Sequence, residues 1–252
     1  MDVLQRANQL QAQGKDVLHC EVGQPETGAP PAVGAAAAAA LTATDPPQVL
    51  GYTDSFGLLA LREKIAAHYQ RYYKLAEPVP ASRIVVTTGS SGGFLLAFTA
   101  CFDPGDVVAI ASSGYPCYRN ILSALGCELG TIPINDEFKL TARELQAEID
   151  RRVASGEDVI KGLILSSPGN PTGAMLSADE LKELCRLCDE QSIMFLSDEI
   201  YHGITYGKKE ATALEFSDQA MIINSFSKYY SSKLLGVVGL FWCCVCGCHV
   251  ML

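Results

Sequence analysis

Basic residues are in the minority in this 252-residue chain: 19 Lys and Arg stand against 28 Asp and Glu, a net charge of -9, and the isoelectric point is near 4.9. That sign excludes a surface built for nucleic acid or for an anionic membrane. The N-terminus carries no continuous apolar stretch, because Asp2, Arg6, Lys15 and Asp16 interrupt it. Neither an export signal nor any location other than the cytoplasm is expected from this stretch. Cys185 and Cys188 form a C-x-x-C, with no second such pair in the stretch Ala178 to Glu190 that holds them. They fall in a helical pattern and are expected to pack rather than bind zinc, and with Cys20, Cys101, Cys117 and Cys127 they read as reduced thiols. There is no internal repeat, no G-x-G-x-x-G and no P-loop ending, which disfavours a dinucleotide or nucleoside triphosphate fold.

Of the residues present, 48% are hydrophobic and 19% charged, enough apolar material for one large domain, or a domain plus a fragment. Short β-branched or apolar runs predict strands at Arg83–Thr88, Val107–Ala111, Gly162–Ser166, Ile193–Ser197 and Met221–Asn224. Helical patterns lie at Gly57–Tyr73, Ser91–Phe102 and Ser177–Gln191, and the alanine run at 35–40 favours a helix over a linker. Strand alternating with helix predicts an α/β fold of three layers, a mostly parallel sheet with helices on both faces. Such sheets bind ligands at the carboxyl ends of their strands.

Four strand ends carry suggestive chemistry. Gly89-Ser90-Ser91-Gly92-Gly93 at a helix start offers backbone N–H groups and two hydroxyls to a phosphate. Ser167-Pro168-Gly169-Asn170-Pro171 holds an amide between two prolines. Asp198-Glu199-Ile200-Tyr201 places a carboxylate at a strand tip with a phenol three residues on. Ser225-Phe226-Ser227-Lys228 ends on a lysine. A phosphate cradle, an amide, a carboxylate with a phenol, and a lysine together match the needs of pyridoxal phosphate. Taken singly, Tyr115 and Tyr118 read equally well as core, and Tyr52 as a turn aromatic. His202 reads as a supporting or packing residue rather than a base, and His19 and His68 as structural.

The chain resembles the class I/II pyridoxal-phosphate-dependent aminotransferases, fold type I. The matching stretches are EVGQP at 21–25, GYTDSFGLLALREKI at 51–65, TTGSSGG at 87–93, GYPCY at 114–118, SSPGNPTG at 166–173, SDEIYHG at 197–203 and SFSKYYS at 225–231. The resemblance implies that Lys228 is the Schiff-base lysine and Asp198 the partner of the ring nitrogen. It assigns Asn170 and Tyr201 to the ring oxygen, Ser90, Ser91, Ser225 and Ser227 to the phosphate, and Tyr115 to stacking on the ring. Tyr52 would reach the phosphate of a neighbouring subunit and Gly23 would lie near the substrate, so a homodimer is expected. No metal is implied. The implied reaction transfers an amino group from an α-amino acid to a 2-oxo acid. The alternatives are a cofactor-binding or membrane-tethered chain without turnover, and a lyase on the same scaffold. The expected division is an N-terminal arm with a small-domain remnant at 1–30, the cofactor-binding large domain at 31–231, and a divergent tail at 232–252.

The resemblance ends after Ser231. Eight residues beyond the lysine the family carries a phosphate-binding arginine, where this chain has Gly236, and Arg186 is its last arginine. A lysine such as Lys233 offers a point charge, not a bidentate fork. Residues 234–252 (LLGVVGLFWCCVCGCHVML) contain no Asp, Glu, Lys or Arg. A marginal membrane anchor, a lipidated tail and a metal knot of Cys243, Cys244, Cys246, Cys248 and His249 compete with foreign coding sequence in a truncated form that lacks most of its small domain. The last is preferred, with a strand at Leu234–Leu240 still expected.

Overall fold

In the computed structural model, residues 2–20, 23, 27–43, 51–232 and 239–242 are described. Each of the five predicted strands forms within a residue or two of its expected bounds: β1 (Ile84–Thr87), β2 (Val107–Ala111), β4 (Ile160–Ser166), β5 (Met194–Asp198) and β6 (Met221–Ser225). Two more complete the sheet. β3 (Glu128–Ile132) escaped prediction because it is an edge strand whose Glu128, Gly130 and Thr131 dilute the apolar signal. β7 (Gly239–Trp242) overlaps the strand expected at 234–240 at residues 239–240, and the rest of that expected span lies outside the described residues. The cysteine-rich stretch at 243–252 and Lys233 lie outside the described residues.

The strand order is β1-β7-β6-β5-β4-β2-β3. β7 runs antiparallel to both neighbours, and the pairs among β6, β5, β4, β2 and β3 are parallel. Every residue of β2 is buried, as expected where both faces of a parallel sheet are covered. Alternate side chains feed two cores. On one face Val107, Ala109, Leu163, Leu165, Phe195 and Ile222 pack with α3 (Leu59–Tyr73), α6 (Ala142–Ser155) and α7 (Ala178–Glu190). On the other, Val108, Ile110, Ile164, Leu196 and Ile223 pack with α4 (Gly89–Cys101) and α5 (Pro116–Ala124). Gly162 in β4 lets Phe102 lie flat on the sheet, because an added Cβ would come within 2.2 Å of the Phe102 ring.

Helix α7 forms where its apolar spacing predicts. Ser177 and Glu180 close a capping box at its start, and Leu181, Leu184, Cys185, Leu187 and Cys188 are buried, each fully buried leucine being worth about 1.5–3 kcal/mol. Cys185 and Cys188 are free and fully buried. Burial pushes the Cys185 thiol up to about 12, so the C-x-x-C is packing material. Ahead of the sheet lie α1 (Asp2–Ala12) and the alanine-rich α2 (Pro31–Thr42). Among the described residues no helix is long and apolar enough to cross a membrane.

Candidate active site at the strand carboxyl ends

Parallel strands deliver their carboxyl ends to one edge, and register brings three of them side by side: Ser166 of β4 faces Asp198 of β5, which faces Ile223 of β6. The Asn170 loop, the Tyr201 turn and the Lys228 turn leave from these ends. Asn170 Nδ2 donates to the Tyr201 hydroxyl at 3.1 Å. Lys228 Nζ lies 5.3 Å from the centre of the Tyr201 ring and donates to the Gly23 carbonyl at 3.2 Å. Just before Lys228, Ser225 and Ser227 bring their hydroxyl oxygens to 2.5 Å. Gly203, at a φ of +87°, makes room for the residue after the lysine: a Cβ there would stand 2.6 Å from the Tyr229 ring.

Asp198 is 4% exposed. One carboxylate oxygen accepts from the Tyr118 hydroxyl and the other from the Ile200 N–H at 3.1 Å. Burial pushes the carboxyl up to about 6, although both donors and the Lys228 charge oppose the shift. Burial, and then the charge of Asp198, also raise the Tyr201 phenol. Tyr115 caps the start of α5 and meets Tyr118 edge to face at 5.6 Å between ring centres.

The GSSGG stretch, expected at a helix start, forms the first turn of α4, which begins two residues before the helical pattern expected from Ser91, with Ser90 half-buried and Ser91 exposed. The Ser91 hydroxyl takes a 3.8 Å contact from the Cys117 thiol, which ties it to the segment carrying Tyr115. Tyr52 stands apart, its side chain fully exposed. Tyr118, which reads in the sequence as core as readily as function, is the residue that holds Asp198. The available signal was its place three residues after Tyr115, on the same face of a short helix.

Beneath the site lies Glu199, 1% exposed. Its Oε1 accepts from Ser197 Oγ, Thr212 Oγ1 and the Ala213 N–H at 3.2, 2.9 and 3.0 Å. Its Oε2 is 3.5 Å from His202 Nδ1, a spacing suited to an ion pair. Burial decides otherwise: it pushes Glu199 up to about 8 and pulls His202 down to about 4, so near neutral pH the two are uncharged. A carboxyl raised above its unfolded value binds its proton more tightly in the folded chain. The stability this contributes is complete below about 4.5 and is lost as pH rises through about 8. Glu199→Gln removes that titration, so its melting temperature relative to the unmodified chain is expected to rise from pH 5 to about pH 8 and level off above it. A difference that stays constant across that range would refute the assignment.

Comparison with known proteins identifies the family. The family model for aminotransferase class I and II matches residues 15–237. The valine–pyruvate aminotransferase of Mycobacterium tuberculosis is 46% identical over 235 residues, covering 92% of this chain and 57% of that protein. The (5-formylfuran-3-yl)methyl phosphate transaminase of Methanocaldococcus jannaschii is 34% identical, with 92% and 57% covered. The chain thus spans little more than half the length of these relatives. An aminotransferase crystal structure from Mycobacterium tuberculosis superposes with a TM-score of 0.84 at 45% identity, over 95% of this chain and 59% of that one. Aspartate aminotransferase from Thermus thermophilus with maleate gives 0.84 at 26% identity, with 96% and 60% covered. With the family model matched over residues 15–237 and the fold shared with solved aminotransferases, the chain belongs to the class I and II aminotransferase family.

Proposed function

We propose that this chain binds pyridoxal phosphate, the general cofactor of its family, and carries the site for moving an amino group between an α-amino acid and a 2-oxo acid. The observation that carries the reading is Asp198: a carboxyl at a strand tip, 4% exposed, with its acidity weakened by burial to about 6. Such an anion is under-compensated by its two hydrogen bonds and the Lys228 charge, and a cation in direct contact would complete it. The protonated nitrogen of a pyridine ring fits that need. When bound, the cofactor supplies an aldehyde for a lysine amine and an electron-withdrawing ring.

The residues take these roles. Lys228 attaches the cofactor and, once released, moves the proton at the substrate Cα. Asp198 keeps the ring nitrogen protonated, and Tyr118 keeps Asp198 aimed. Asn170 and Tyr201 hold the ring oxygen, and Tyr115 covers the ring. Ser90, Ser91, Ser225 and Ser227 take the phosphate, aided by the N-terminus of α4. With Gly236 where the family has an arginine, these hydroxyls carry the phosphate without a guanidinium. Gly23 lies beside the substrate, and in a homodimer the exposed Tyr52 reaches the phosphate site of a second copy. Residues 31–231 form the cofactor-binding unit, residues 1–30 its arm.

Titrating the purified chain with pyridoxal phosphate is expected to produce a visible absorption band, and adding amino acids one at a time, valine and aspartate among them, is expected to discharge it with a particular donor. A band that no amino acid alters would favour a chain that binds the cofactor without turnover, the reading that Gly236 supports.

A further inference from the structure

We infer that His202 is the positioning residue of this site: its ring ties the loop carrying Asn170 to the turn carrying Asp198 and Tyr201, so that the amide and the phenol stay aimed at one atom. The inference rests on the proposed role of Asn170 and Tyr201 at the cofactor's ring oxygen.

Asn170 and Tyr201 come from different strand ends, and the direct bond between them is half-buried. A second bond runs parallel to it underneath. His202, adjacent to Tyr201 in sequence, lies 2.9 Å from the Ser167 carbonyl through Nε2. Ser167 is three residues before Asn170, and its own N–H donates to the Asp198 carbonyl at 3.2 Å. The histidine is 7% exposed, and the bond itself is part-buried.

The tautomer follows from the partners. A carbonyl can only accept, so Nε2 carries the proton. Nδ1 is then bare and accepts from the Tyr73 hydroxyl, 2.5 Å away on α3. A hydrogen bond at one ring nitrogen sets the state of the other, and Tyr73 therefore keeps the donor pointed at Ser167. Around the ring stand Tyr73 from α3, Glu199 from its own turn at 3.5 Å, the Ser167 carbonyl from the β4 loop, and the charge of Glu210 from the loop that follows. Helix α3 extends the same support to β6, because Tyr69 accepts from Asn224 Nδ2 at 2.9 Å, four residues before Lys228. One helix thus steadies the strand ends bearing the amide, the acid and the lysine.

The test compares His202→Leu, His202→Gln and Tyr73→Phe with the unmodified chain, by dissociation constant for pyridoxal phosphate, by the pH midpoint of the visible band, and by melting temperature. His202→Leu removes both bonds and is expected to bind about tenfold more weakly, the equivalent of one buried hydrogen bond. Its band midpoint should rise by about one pH unit, because misaimed donors no longer favour the ring-oxygen anion. His202→Gln keeps a donor and an acceptor and should recover most of both. Tyr73→Phe frees the proton to move to Nδ1 and should raise the midpoint in the same direction by less. An unchanged midpoint in His202→Leu, or Gln as damaging as Leu, would overturn the inference. If His202→Leu does not fold, an unchanged midpoint in Tyr73→Phe does so instead. Absence of any band in the unmodified chain would sink the cofactor reading itself, a result distinct from a normal band that ignores His202.

Discussion

Replacing Lys228 by alanine is expected to abolish the visible band formed with pyridoxal phosphate and to leave no detectable discharge by amino acids. The lysine is the amine at the centre of the cluster, with Nζ donating to Gly23 and standing over the Tyr201 ring. Its loss removes the point of attachment and the base together, and the second alone accounts for about 10²–10⁴ in rate. Stability should barely move, because Lys228 is only half-buried and substitutions away from a packed core usually fall within about 0.5 kcal/mol. Absorbance and thermal melting on the same sample separate the two effects. A variant that melts normally and still shows the band would place the attachment elsewhere.

Asp198→Asn is expected to divide function from stability in opposite directions. The amide cannot keep a pyridine nitrogen protonated, so discharge of the band by amino acids should slow by at least about 10²-fold, the scale of losing one directed electrostatic contact. In the absence of cofactor the same change should stabilise the chain. Asp198 has its carboxyl raised by burial to about 6, so the stability it contributes is complete below about 3.8 and lost as pH rises through about 6. At pH 8 the anion costs on the order of 3 kcal/mol. Asparagine removes that cost while keeping an oxygen for the Ile200 N–H, and its NH₂ can face Tyr118, whose hydroxyl turns to accept. Denaturant unfolding at pH 4 and pH 8 reads the difference, and an asparagine variant less stable at pH 8 would refute the account. Gain of stability with loss of chemistry is the pattern of a site strained for function.

Chemistry readable along the chain is the chemistry of neighbours. Turn residues and short apolar runs placed β4, β5 and β6 and their strand-end loops. The helix α6 shows how far such signals reach: Thr141 with Glu144 closes its capping box and Gly156 ends it in the left-handed region. Yet α6, of which only Leu145 is buried, was not among the expected helices although these end signals were legible. The edge strand β3 was lost because its pattern is diluted by Glu128, Gly130 and Thr131.

Short motifs and their order were sufficient to bring an amide, an acid, a phenol and a lysine to the ends of adjacent strands, because parallel strands share one carboxyl edge. What holds those groups was beyond such reasoning. Tyr118 meets Asp198 across 80 positions, Tyr73 meets His202 across 129 and Gly23 meets Lys228 across 205. Contacts of that span depend on which helix packs on which face and on the insertion of β7 between β1 and β6. Burial, which turns Asp198 and Glu199 into weak acids and His202 into a weak base, is a property of the packed layers and not of any neighbour in the chain.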